Sequence, residues 1–186
     1  FVLFRSTFHN GGSEPVVLNH VPGVSATVDL GKPAADLRTL GTGGLKRGDA
    51  DNPGSYAFLA TVDPATRKGV VAGWVTHDRG SGVVFSPVQG NAVRLRSQLD
   101  YGRLRIKPGQ DAAGEVFAIG YFDDARLGLE AYADAVAKAY SIKLPPHQPG
   151  FCTWYMEKNG GACRADLVAE LSEYAAKNLK LSLIHI

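Results

Sequence analysis

Trp154 and Tyr155 stand side by side near the end of a short apolar run, Gly150-Phe151-Cys152-Thr153-Trp154-Tyr155-Met156. An indole presents a flat apolar face and a phenol adds a hydrogen-bond donor, so the pair can stack on a sugar ring and orient it. At the C-terminal end of a strand in an eight-stranded α/β barrel, such a pair would face the active site. A core tryptophan beside an interface tyrosine fits the same two residues, and spacing alone leaves both readings open.

The other groupings have plainer explanations. Thr76-His77-Asp78-Arg79-Gly80-Ser81-Gly82 gathers a nucleophile, a base and a carboxylate. Triad partners converge from separate elements, however, and glycines beside an acidic residue are ordinary turn chemistry. The segment is expected to be a hairpin loop, with a place beside a neighbouring domain's cleft left open for it and for the loop near Asp51. Asp123 and Asp124 are neighbours, so on a helix they point about 100° apart and suit capping better than acid/base work. Gly41-Thr42-Gly43-Gly44-Leu45-Lys46 lacks the Walker spacing and reads as a glycine turn. Cys152 and Cys163 match neither a zinc ribbon nor a redox pair. The five histidines are scattered.

The elements that must position these residues change character along the chain. Up to Asp123 the pattern is strand and turn, with short apolar runs at 8–12-residue spacing that predict a meandering β-sandwich or barrel. Tyr56 to Val62 and Gly69 to Thr76 are expected to form a hairpin, and Pro22-Gly23 to end the second strand. Leu129, Tyr132, Ala133, Val136 and Tyr140 follow with helical spacing behind the two aspartates. Leu144-Pro145-Pro146-His147-Gln148-Pro149 cannot be helical and is the best boundary in the chain. Beyond it, a strand over 151–156 and a Gly160-Gly161 loop lead to a helix with Leu167, Leu171, Tyr174, Ala175 and Leu179 on one face.

Composition excludes several classes. The formal charge of +2 is spread along all 186 residues, which supports neither a nucleic-acid footprint nor a membrane-surface patch. No apolar run approaches the roughly 20 residues of a membrane helix. Both ends read as cut, because Phe1 opens inside a strand pattern and Leu181-Ser182-Leu183-Ile184-His185-Ile186 breaks the preceding helix pattern. Those six residues are what one frame of a common transposon-end sequencing adapter encodes, and they are set aside from fold reasoning.

Gly150-Phe-Cys-Thr-Trp-Tyr, the Gly-Gly loop and Glu170-Leu171-Ser172-Glu173-Tyr174-Ala175-Ala176-Lys177-Asn178-Leu179-Lys180 resemble the barrel start of α-galactosidase-like enzymes of glycoside hydrolase family 36, the melibiase group. Gly73-Trp74-Val75-Thr76-His77-Asp78-Arg79-Gly80-Ser81-Gly82 and Ile119-Gly120-Tyr121-Phe122-Asp123-Asp124-Ala125-Arg126 are similar to bacterial members. The resemblance covers residues 1–180. It implies a mainly β chain: a β-sandwich (supersandwich) with a connecting helix over 1–143, a linker over 144–149, and the first βα unit of a truncated (β/α)8 TIM barrel over 150–180. Residues 181–186 are left to the adapter.

It further implies that Trp154 and Tyr155 line a galactose subsite, and that the parent enzyme releases terminal α-linked galactose from oligosaccharides. Retaining hydrolysis uses two carboxyls about 5–5.5 Å apart and needs no cofactor. Both catalytic aspartates, and an Asp-Asp-Gly-Trp motif, belong to later strands, so none of the aspartates present is given that role and the fragment is expected to be inactive. Rival readings are a raffinose-synthase-type galactosyltransferase and a stand-alone carbohydrate-binding β-sandwich. The expected partner is an α-galactoside oligosaccharide, with no nucleic acid and no membrane.

Overall fold

A computed structural model describes residues 1–47, 54–146, 150–151, 165–178 and 182–183. The chain divides into two compact units, Phe1–Ile142 and Lys143–Ile186.

The first unit is built on two antiparallel sheets. Strands β1 (Val2–His9), β3 (Arg38–Gly41), β4 (Gly44–Arg47), β6 (Phe58–Val62), β7 (Gly69–Trp74) and β11 (Asp111–Phe122) form a six-stranded sheet in the order β1-β11-β7-β6-β3-β4. Strands β2 (Val16–Val28), β5 (Ser55–Tyr56), β8 (Ser81–Phe85) and β10 (Ala92–Ile106) make the second in the order β2-β10-β8-β5, and β9 (Val88–Gln89) pairs with β10. Period-2 alternation turns one face of each sheet inward. Val28, Val84, Val93, Leu95 and Leu99 of the second sheet meet Leu59, Ala72, Trp74 and Phe117 of the first in one buried cluster. The unit is therefore a sandwich, as its alternating strands predict.

It is not a meander. β1 and β2 belong to different sheets, so the Asn10-Gly11-Gly12-Ser13 turn crosses a corner of the sandwich. Asn10 anchors that corner, its buried side-chain amide donating to the carbonyls of Glu14 and Ile106. The run from Tyr56 to Val62 also divides between sheets. Ser55 and Tyr56 pair with β8, whereas Phe58 begins the pairing with β7. Ala57 makes the transfer at φ 64°, where its N–H donates to the Gly82 carbonyl and its carbonyl accepts from the Trp74 N–H.

β2 runs through Pro22-Gly23 instead of ending there. β2 lies at a sheet edge, where a missing N–H is tolerated, and the ladder shifts register beside it between Arg96 and Gln98. β10 continues likewise past Gly102, which takes φ +61° at a second irregularity.

Helix α1 (Ala125–Ala139) packs on the outer face of the six-stranded sheet through Ala125, Leu129, Tyr132, Ala135 and Val136. Ala133, expected on that face, is exposed, and Ala135 takes its place. Asp124 is the N-cap, its carboxylate accepting from the Arg126 N–H at 3.1 Å, while Asp123 is solvent-exposed near Lys68.

In the second unit, β12 (Gly150–Phe151) and helix α2 (Ala165–Asn178) appear in the expected order. β13 (Ser182–Leu183), from the six residues set aside, pairs with β12 in parallel. Along α2, Ala175 is buried and Leu167 and Leu171 are half-buried, but Tyr174 is 60% exposed, off the face expected for it.

Candidate functional site

The segment carrying most chemistry among the described residues is the loop between β7 and β8. Its course is set by Trp74, whose indole is buried between the sheets against Phe117 at a ring separation of 4.9 Å. Gly82 is required opposite it, since a Cβ there would come within 2.1 Å of the indole Cδ1. Gly73 is required on the other face, where a Cβ would stand 2.6 Å from the Tyr132 ring.

Glu115 then fastens the loop from inside. The side chain projects from β11 and the residue is 4% exposed. One carboxylate oxygen accepts from the Thr76 hydroxyl at 2.5 Å, and the other accepts from the N–H groups of Arg79 at 2.8 Å and Gly80 at 3.3 Å. Thr76 Oγ1 also accepts from the Val116 N–H, which ties the loop back to β11. Burial pushes the Glu115 carboxyl up, but the hydrogen bonds from Thr76 and the loop amides outweigh it and hold the carboxyl below its ordinary range. The buried charge is thus satisfied by the Thr76 hydroxyl and backbone dipoles, and no cation pairs with it among the described residues.

Helix α1 holds the same loop from the other side. The Trp74 carbonyl accepts from the Tyr132 hydroxyl at 2.7 Å and from His77 Nε2 at 3.0 Å. A carbonyl only accepts, so His77 carries its proton on Nε2 and leaves Nδ1 as the free ring nitrogen when neutral. The His77 N–H donates to the Tyr140 hydroxyl. Burial pushes the Tyr132 phenol up to about 12, which keeps it a neutral donor.

With the backbone fixed, His77, Asp78, Arg79 and Ser81 face solvent. Together with Asp100 and Tyr101 they border an open depression of about 510 Å³. This arrangement can bind a polar ligand but is not a hydrolytic triad. The protonated nitrogen of His77 is spent on a backbone carbonyl, and among the described residues no hydrogen bond joins His77 to Ser81 or Asp78. The sequence predicts a hairpin loop here, and the structure corrects that: β7 belongs to the six-stranded sheet and β8 to the other, so the loop carries the chain from one sheet to the next.

Gly41 to Lys46 is the β3–β4 hairpin, with Gly44 at φ +83°, as a glycine turn requires. Trp154, Tyr155, Cys152, Cys163 and Asp51 lie outside the described residues. Among the described residues no three His, Cys, Asp or Glu side chains converge as a metal site. Sequence reasoning passed over Glu115, although a signal was present. Phe117 and Ile119 point inward, so position 115 does too, and a carboxylate at an inward position must be partnered.

No protein-family model matches the chain, and no curated protein is significantly similar to it.

Proposed function

We propose that the chain is the N-terminal sandwich and first strand–helix element of an α-galactosidase-like retaining glycoside hydrolase. The observation that carries this reading is the order of elements: two antiparallel sheets, a helix capped by Asp124, then a short strand at Gly150 and Phe151 and the helix Ala165–Asn178. That order is the one implied by the resemblance to family 36 around Gly73, Ile119 and Gly150. The pairing made by Ser182 and Leu183 lends no support, because the sequence sets those residues apart.

In this reading Trp154 stacks on the galactose ring and Tyr155 orients it by a hydrogen bond. The loop fastened by Glu115 presents His77, Asp78 and Arg79 to solvent on a fixed backbone. The bond-breaking carboxylates belong to barrel strands beyond Lys180, so the chain as it stands lacks the nucleophile and the acid/base that retaining hydrolysis requires.

A long read of the coding DNA past the Lys180 codon tests the proposal. A frame continuing into Asp-Asp-Gly-Trp and later strand-end aspartates supports it, whereas a stop after Ile186 overturns it. The purified chain is expected to release no nitrophenol from nitrophenyl α-galactoside above the buffer rate. Turnover that survives purification to homogeneity would contradict the assignment of catalysis to later strands.

A further inference from the structure

The outward face of the five-stranded sheet carries a feature that the α-galactosidase reading does not use. Residues paired across neighbouring strands share a face, so Arg96 stands beside Phe85, and Tyr56 beside Val83. The Arg96 guanidinium lies over the Phe85 ring at 5.4 Å from its centroid. Tyr56 is 68% exposed. Along β10 the same face continues from Arg94 and Arg96 through the irregularity near Gly102 to Arg103 and Arg105, all four exposed. Same-face side chains on a strand recur about every 6.7 Å, so the arginines mark a track roughly 35 Å long.

None of the four arginines has a carboxylate partner among the described residues. Arg94 is held in place by neutral groups, the Thr27 hydroxyl and the Gln89 side-chain oxygen. The single acid on this face of β10, Asp100, is 3.6 Å from His20. A free basic row of that length suits a polymer better than a small anion.

We propose that this face binds a carboxylate-bearing polysaccharide, with Arg94, Arg96, Arg103 and Arg105 pairing to carboxylates and Tyr56 stacking on a sugar ring. A single-stranded nucleic acid is the weaker fit. It needs several free rings for its bases, whereas the Phe85 ring is already covered by Arg96 and the whole chain carries only +2.

Affinity electrophoresis of the full chain in gels containing polygalacturonate, galactomannan or poly(U) tests this, with circular dichroism to check folding. Retardation by polygalacturonate, but not by neutral galactomannan, is expected. R94S/R96S should weaken it about tenfold, Y56A about threefold, and a rise in salt should weaken it further. If R94S/R96S does not fold, R103S/R105S carries the same expectation. Unchanged mobility in polygalacturonate, parental affinity in the folded arginine variants, or tighter retention by poly(U) would each overturn the proposal. None of these outcomes depends on α-galactoside chemistry, so this inference and the preceding one fail separately.

Discussion

At the residue scale, Glu115 does the most to define the described unit, because a buried carboxylate is costly unless each oxygen is met by a donor. Replacing it by alanine strands the Thr76 hydroxyl and two loop amides, a loss of about 2–3 kcal/mol, while glutamine retains one acceptor and should lose about 1 kcal/mol. Denaturant midpoints at neutral pH measure both. Titration gives the same residue a signature. Its folded carboxyl lies below its ordinary value, as do those of Asp63, held at about 2 by the Thr66 hydroxyl and then Lys32, and of Asp124, held at about 2 chiefly by Arg126. In each case the unfolded chain binds protons more readily, so the stabilisation is complete above the ordinary carboxylate range and is lost as pH falls through the depressed values. Stability is therefore expected to drop between about pH 4.5 and pH 2, and Glu115→Gln should flatten the upper part of that limb. A limb unchanged in Glu115→Gln would show that its carboxylate is not titrating as the geometry requires.

At the element scale, the segment from Gly73 to Gly82 is a packing code as much as a motif. Each of its distinctive residues has a mechanical role. Gly73 admits Tyr132, Trp74 fills the core, Thr76 reaches Glu115, and Gly82 clears the indole. Gly82→Ala is predicted to cost about 3 kcal/mol through overpacking and to red-shift the Trp74 fluorescence. Partial recovery of stability in Gly82→Ala/Trp74→Leu would identify the indole as the clash, and no recovery would place it elsewhere. The edge strand β1 makes a different prediction. Val2, Leu3 and Phe4 are 60%, 61% and 42% exposed beside a backbone edge that no strand pairs among the described residues, a template for adding another strand. Leu3→Lys should lower self-association in light scattering without moving the unfolding midpoint, since Leu3 contributes little to the core.

At the scale of the whole molecule, the division near Ile142 is the organising fact. Ile142 and Leu144 are 49% and 88% exposed around Lys143, so the backbone there is open to attack. Brief trypsin treatment is expected to leave a resistant fragment ending at Lys143, detectable by mass spectrometry. First cuts inside β10, at Arg94, Arg96, Arg103 or Arg105, would mean that the sandwich does not hold together as a unit. For the proposed parent enzyme, that fragment would be the sandwich released from the barrel.

Local chemistry made much of this legible in the sequence. Alternation exposed the strands, three prolines marked the boundary, Asp124 announced a helix, and glycines showed that Gly41 to Lys46 is a turn and that a loop follows Trp74, though not that this loop changes sheets. Each depends on a residue and its immediate neighbours, where periodicity and turn preference act. Which strands pair was not legible, because β1 finds β11 more than 100 positions away through a backbone ladder that no local turn announces. The transfer of the chain between sheets at Ala57 was hidden for the same reason, and the continuity of β2 through Pro22 depended on its becoming an edge. Glu115 shows the division within one residue. Its inward position followed from the alternation of β11, but only the fold could bring the Thr76 hydroxyl and two loop amides to its oxygens and make a buried charge stable.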